Sequence, residues 1–169
     1  MATIPDDICR PVLQLFEGPP PLLNLFEEAL ATFVNGEFVY IDGSSYIAEI
    51  VTDTPPAIYG VAAEPAHNDA VAATHQVAVF LAVPSVLFEL NMKQSGLADH
   101  VIVQGDLGHT MAVQHDTTNN KWFLNASTVG GANVRMFVHS LARGSNLGDT
   151  NARVLASFAQ NWVQFAVTS

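Results

Sequence analysis

The fold is decided by residues 37–51, which read EFVYIDGSSYIAEIV. Two runs of apolar, β-branched and aromatic residues flank Asp42 and Gly43, and an Asp-Gly pair between such runs is a strong indication of a β-hairpin. No long helical pattern follows, which excludes parallel βαβ units. Further short apolar runs predict strands at 57–62, 76–83, 86–90, 100–103, 109–115, 121–124, 133–139, 153–158 and 162–167, with a loop at 64–75. The sequence therefore predicts an all-β fold, a small barrel or sandwich of about nine or ten short antiparallel strands.

The composition limits the kinds of partner. Of the 169 residues, 49% are hydrophobic and 13% are charged, against a usual charged share of about 25%. This excludes disorder over most of the chain and suggests that another molecule covers part of the surface. The net charge is −10. Because phosphate backbones and anionic membranes are bound by clustered Lys and Arg, we expect no nucleic-acid partner and no membrane partner. The acidity suits a basic protein surface instead.

The single cysteine, Cys9, excludes an internal disulfide and a cysteine-rich metal site. The lack of a second cysteine fits assembly in a reducing compartment such as a bacterial cytoplasm. Cys9 lies in a proline-flanked segment beside Arg10, where we expect a tail thiol outside any structured pocket and no catalytic role.

Residues 1–36 differ from the rest because they contain five of the nine prolines. The stiff run Gly18-Pro19-Pro20-Pro21 separates two apolar clusters, and the spacing within the second predicts a short helix at 22–32. Two interpretations stay open: the segment packs on its own domain, or it is an arm whose clusters dock on a partner. We assign residues 1–36 as an N-terminal arm and residues 37–169 as the β-barrel domain. On the second interpretation, the partner-binding residues are Leu13, Leu15, Phe16, Leu22, Leu23, Leu25 and Phe26.

The residues that could carry chemistry give no complete pattern. The six histidines include His67 near Asp69 in the predicted loop, and His109 and His115 at even spacing on one predicted strand. Either pair could contribute to a zinc or iron site of the cupin type, but neither an H-x-H nor an H-E-x-x-H spacing occurs. We expect scattered histidines, no metal, no cofactor, no catalytic residue and no enzymatic activity. The tryptophans, at 122 and 162, are interpreted as anchors of a core or an interface.

A resemblance to a known family rests on the order of several short stretches. Residues 35–41 read NGEFVYI, residues 58–62 read IYGVA, residues 84–90 read PSVLFEL and residues 148–154 read GDTNARV. In this order they resemble the small β-barrel cement, or decoration, proteins of tailed bacteriophage capsids, over roughly residues 30–157. The resemblance implies a structural virion protein, assembled in the bacterial host cytoplasm, on the outer surface of the head. It implies that the major capsid protein is the partner and that this chain clamps neighbouring capsid subunits, and it adds no catalytic residue.

The low charge also predicts that the chain buries surface against copies of itself, and we expect a homotrimer. The expected oligomer interface lies on the late strands, at Phe137, Phe158, Trp162 and Phe165. Two alternatives stay open. One is a cupin-like β-barrel that binds a ligand or a metal, and the other is a different virion protein such as a tail component.

Overall fold

The structure, a computed structural model, describes residues 1–14, 19–52, 57–129 and 135–159. These residues form two sheets of mostly antiparallel strands in a sandwich-like arrangement, which confirms the prediction of an all-β fold. The helical elements in these ranges are two short 3-10 turns, Ser95–Leu97 and Gln104–Asp106.

The larger sheet has six strands. In spatial order they are β1 (Arg10–Gln14), β7 (Val86–Lys93), β11 (Arg153–Phe158), β10 (Arg135–Leu141), β8 (Thr110–Asp116) and β9 (Lys121–Val129). The smaller sheet has five strands, in the order β2 (Leu22–Phe26), β6 (Gln76–Leu81), β5 (Gly60–Ala62), β3 (Phe38–Ile41) and β4 (Ile47–Glu49). The described residues thus contain eleven strands, slightly more than expected.

The larger sheet closes on itself. The first half of β7 pairs with β1, while residues Asn91 to Lys93 of the same strand pair in parallel with β9. Since β9, β8, β10, β11 and β7 pair in succession, these five strands form a ring. Closure removes the open edge that β9 would otherwise present.

The predicted hairpin is present as β3 and β4, with Ile41 opposite Ile47 and Val39 opposite Glu49. Asp42 shapes the connection. Its Oδ1 accepts hydrogen bonds from the backbone N–H groups of Ser44 (2.9 Å) and Tyr46 (2.7 Å), as Asx turns do.

The predicted helix at 22–32 is wrong. Residues Leu22–Phe26 form β2, which pairs antiparallel with β6 over its whole length. The helical spacing of the leucines is incidental, because the backbone N–H and C=O groups bond to the distant strand β6 rather than to the preceding turn. The chain after β2 is irregular, and Leu30 has φ +60°. The strand predicted at 100–103 is reduced to an isolated bridge at Val101, and the strand predicted at 162–167 lies outside the described residues.

Two clusters of buried side chains hold the sheets together. In the larger cluster, Phe38 of the smaller sheet stacks on Trp122 of the larger sheet, with ring centroids 4.6 Å apart. Phe158 meets Phe38 and Phe88 edge-on at 5.3 and 5.1 Å. The second cluster lies under the smaller sheet and consists of Ala31, Phe33, Val39, Ile47, Ala62, Val77 and Val79.

The described part of residues 1–36 contributes a strand to each sheet, β1 to the larger and β2 to the smaller. Near the N-terminus, Ile4 donates a backbone hydrogen bond to Thr150 (2.8 Å). The chain then crosses closely over Gly36, where a Cβ would lie 2.6 Å from that of Ile8. Gly36 also has φ +86°, so glycine is required there by both space and backbone conformation. Residues 1–14 are therefore packed against their own chain.

Candidate functional site

The most apolar exposed element among the predicted partner-binding residues is β2. Leu22, Leu23 and Phe26 are 48%, 43% and 45% exposed. Leu25 is half-buried and packs on the smaller core cluster. Side chains alternate along a strand, so Leu22 and Phe26 lie on one face of β2 and Leu23 lies on the other. Together they form an apolar patch on both faces of the strand, whereas scattered single apolar side chains need no explanation.

The backbone of β2 adds to this patch. The strand lies at the edge of the smaller sheet and pairs on one side with β6. Its other side makes one bridge at its end, from Glu27 to Ile47 of β4. In the described ranges no strand covers the outer edge of Leu22–Phe26. An uncovered edge offers backbone N–H and C=O groups to a strand from another chain.

The remaining predicted interface residues fall in different places. Leu13 lies in β1, but Leu15 and Phe16 are outside the described residues, as are Trp162 and Phe165. Phe137 is 38% exposed on β10, where it packs edge-on against His139. Phe158 is buried in the core of its own chain. Its side chain is therefore absent from the surface that a second copy could contact, a correction to the expected oligomer interface.

A cleft of about 220 Å³ lies where the two sheets meet. Glu37 and His115 line it, with His115 Nε2 3.4 Å from Glu37 Oε1. His115 also stacks on Trp122 with ring centroids 4.6 Å apart, which fits the interpretation of Trp122 as a core anchor. Pockets for small organic ligands usually have about 300–1,000 Å³, so this cleft is too small to enclose a typical one.

The thiol of Cys9 is buried in the larger core cluster and not in a tail, which corrects the expected location. Burial raises the pKa of Cys9, with a smaller opposing effect from the Arg153 guanidinium. A raised pKa and a closed core make the thiolate, the reactive form, scarce.

The histidines are not all scattered. His67 and His75 lie beside Glu27, and one ligand atom from each of the three residues falls within 4.8 Å of the others. His109 and His115, the other predicted pair, belong to no such group among the residues that the structure describes. Glu27 was missed in the sequence because it is forty residues from His67. The indication lay in the pairing of β2 with β6, which sets Phe26 opposite Gln76 and so brings Glu27 next to His75.

Comparison with known proteins identifies no relative. No family model, curated protein or solved structure matches the chain. Among the described helical elements, none has the length and apolar character that a membrane crossing requires.

Proposed function

We propose that this chain is a structural virion protein, a capsid decoration protein that binds the outer surface of a phage head and clamps neighbouring major capsid subunits. The observation that carries the proposal is the uncovered apolar edge strand β2. The order of the stretches at 35–41, 58–62, 84–90 and 148–154 supports the same family. The partners are the major capsid protein and, in a homotrimer, further copies of this chain.

The strand β2 offers two kinds of contact at once. Its outer edge can add to a strand of the capsid subunit through main-chain hydrogen bonds, and its side chains supply apolar area. Leu22, Leu23 and Phe26 each retain a little under half of their surface. Full burial of such a side chain contributes about 1.5–3 kcal/mol, so covering the remaining half contributes roughly 1 kcal/mol each.

The charge of the chain supports a basic partner surface. At −10, the chain is attracted to a positively charged shell, and this attraction raises the rate of association more than the final affinity. We therefore expect attachment to slow as salt concentration rises. Repetition of the interface around a trimer would multiply a modest affinity per site.

The test uses heads that lack the protein, mixed with the purified chain and pelleted. A Leu22→Ser, Phe26→Ser double variant should melt within about 2 °C of the wild type, because surface substitutions change stability little, yet pellet with heads far more weakly. Leu147→Ser is the matched control, since Leu147 is also 48% exposed but lies in the connection between β10 and β11. Equal binding by both variants and the wild type contradicts the role of β2.

Two other results separate the alternatives. If the wild-type chain fails to bind heads but labels tails in electron micrographs, the chain is a tail component. If it binds neither, the group formed by Glu27, His67 and His75 favours a metal-binding β protein instead, and elemental analysis of the chain from its native host decides this. Sedimentation at micromolar concentration tests the trimer.

A further inference from the structure

Glu27, His67, Asp69 and His75 form a polar cluster where β2 ends and the loop before β6 begins. Glu27 follows the last residue of β2 and accepts a backbone hydrogen bond from His67 at Oε2 (3.0 Å). Its backbone N–H donates to the carbonyl of His75 (3.2 Å). The loop from 63 to 75 is thus fastened around one carboxylate. We call Glu27, His67 and His75 the ligand triad.

The carboxylate of Glu27 lacks the partners that a buried charge needs. Its side chain is 0% exposed, and its Oε1 has no hydrogen-bond partner. Its ion-pair partner among the described residues is His67, at 3.4 Å, and no lysine or arginine in those ranges lies within ion-pair distance. Buried carboxylates are normally paired or bound to a metal. The unpartnered Oε1 is therefore available to bind a cation.

Asp69 holds His75 in the tautomer that a metal ligand requires. Nδ1 of His75 lies 2.5 Å from Oδ2 of Asp69. This contact keeps the proton on Nδ1 and leaves the lone pair on Nε2, as carboxylates do for metal-binding histidines. His67 and His75 stack with ring centroids 4.4 Å apart, so the two imidazoles lie next to each other.

The distances between the ligand atoms and the types of donor atom indicate which class of metal the triad would bind. Ligand atoms about 2.0–2.1 Å from a tetrahedral ion are about 3.3–3.4 Å apart, and His67 Nδ1 lies 3.4 Å from both oxygens of Glu27. Two imidazole nitrogens and one carboxylate suit Zn²⁺ and similar ions, whereas Ca²⁺ and Mg²⁺ take oxygen ligands. His67 and His75 are 41% and 51% exposed, so the ion can enter from solvent and keep a water molecule.

We propose that the ligand triad of Glu27, His67 and His75 binds a Zn²⁺-like divalent cation, with Asp69 positioning His75. The ion neutralises the buried carboxylate and fastens the loop to β2. This replaces the sequence-based expectation that the histidines hold no metal. The proposal is independent of the capsid partner, because it depends on contacts inside one chain.

The experiment measures Zn²⁺ binding to the full chain after treatment with a chelator, by titration calorimetry with ZnCl₂. We expect one Zn²⁺ per chain and no competition from MgCl₂. His67→Gln and His75→Gln should weaken binding by more than tenfold, and Asp69→Asn by about 10–100-fold, as for other outer-shell carboxylates. His109→Gln is the matched control, because His109 is an exposed histidine outside the triad, and it should bind like the wild type.

Thermal unfolding provides a second readout. Zn²⁺ at a hundredfold excess over its Kd should raise the Tm of the wild type by about 5–10 °C, and it should leave the Tm of Glu27→Gln unchanged. Glu27→Gln keeps the shape of the side chain and removes its buried charge, so we expect the variant to fold. The proposal is overturned if the wild type binds no Zn²⁺, if MgCl₂ displaces Zn²⁺, or if the triad variants bind as tightly as His109→Gln.

Discussion

Replacement of Arg153 by methionine should strongly destabilise the chain, because it removes a buried charge that makes several hydrogen bonds. Arg153 is buried and its guanidinium makes four hydrogen bonds: to Glu89 Oε1 (2.6 Å), to the Glu89 carbonyl (3.2 Å), to Asn91 Oδ1 (3.2 Å) and to the Ile8 carbonyl (3.2 Å). It therefore joins the N-terminal segment to β7 and β11. Methionine fills similar space but satisfies none of these oxygens.

The loss of unfolding free energy in Arg153→Met depends on the Glu89 charge that stays buried without its partner. Removal of one member of a buried ion pair costs about 3–5 kcal/mol, because the other charge stays buried without compensation. Arg10 still reaches Glu89 Oε2 at 3.3 Å, so we expect the lower end, about 3 kcal/mol. For a chain of this size that is a fall in Tm of about 6–12 °C. Arg10→Met should cost less than about 1 kcal/mol, since the Arg10 side chain is half-exposed.

Urea unfolding of Arg153→Met, Arg10→Met and the wild type measures these differences. A fourth variant, Arg153→Met with Glu89→Gln, removes the stranded charge and should recover a large part of the loss. The reasoning is refuted if Arg153→Met and Arg10→Met lose the same free energy of unfolding. A double variant less stable than Arg153→Met would also refute it, because the stranded charge would then not be the cause.

Three further predictions concern other parts of the chain. The hydrogen bond between His75 and Asp69 raises the pKa of His75 above 6.5 and lowers that of Asp69 below 3.8. In metal-free protein, this pair should stabilise the fold fully between about pH 4 and 6.5, and the stabilisation should be lost as pH rises through the raised pKa of His75 or falls through the lowered pKa of Asp69. The Tm difference between the wild type and Asp69→Asn should therefore shrink from about pH 5.5 to about pH 8.5. Gly36→Ala should cost at least about 1–2 kcal/mol in urea unfolding, because a positive φ and the 2.6 Å approach to Ile8 both oppose a Cβ; an unchanged midpoint would contradict this. Cys9 should react with a chromogenic disulfide reagent only as fast as the chain unfolds, since its thiol is buried and its pKa raised; rapid labelling in native buffer would show that the segment opens.

The fold class could be predicted from the sequence because its evidence is local. Alternating apolar residues and the turn residue Asp42 report strand geometry within a few positions, and the β3–β4 hairpin is found where they indicate. The helix predicted at 22–32 failed for the opposite reason. Leu22, Leu25 and Phe26 have a spacing that fits a helix, and only the distant strand β6 decides otherwise. Tertiary pairing overrides local preference in such cases.

The ligand triad could be predicted only in part. His67, Asp69 and His75 lie in one short loop, so their proximity is visible in the sequence. Glu27 comes from another strand, and its place depends on the register of β2 against β6, which a shift of one residue would reverse. The burial of Cys9 was hidden in the same way, because nothing near it in sequence indicates that β1 enters the larger sheet.

The bond between the start of the chain and Thr150 has a consequence for synthesis. Ile4 and the backbone of Ala2 leave the ribosome long before their partner Thr150. The strand β1 likewise waits for β7 and its register with Glu89. The strands of the smaller sheet all lie between Leu22 and Leu81, whereas the larger sheet needs β11. We therefore expect the larger sheet to be completed late and slowly, as is typical of distant β pairing. In that interval the apolar edge of β2 is exposed to other nascent chains, so the yield of soluble protein should depend on chaperones and on temperature during expression.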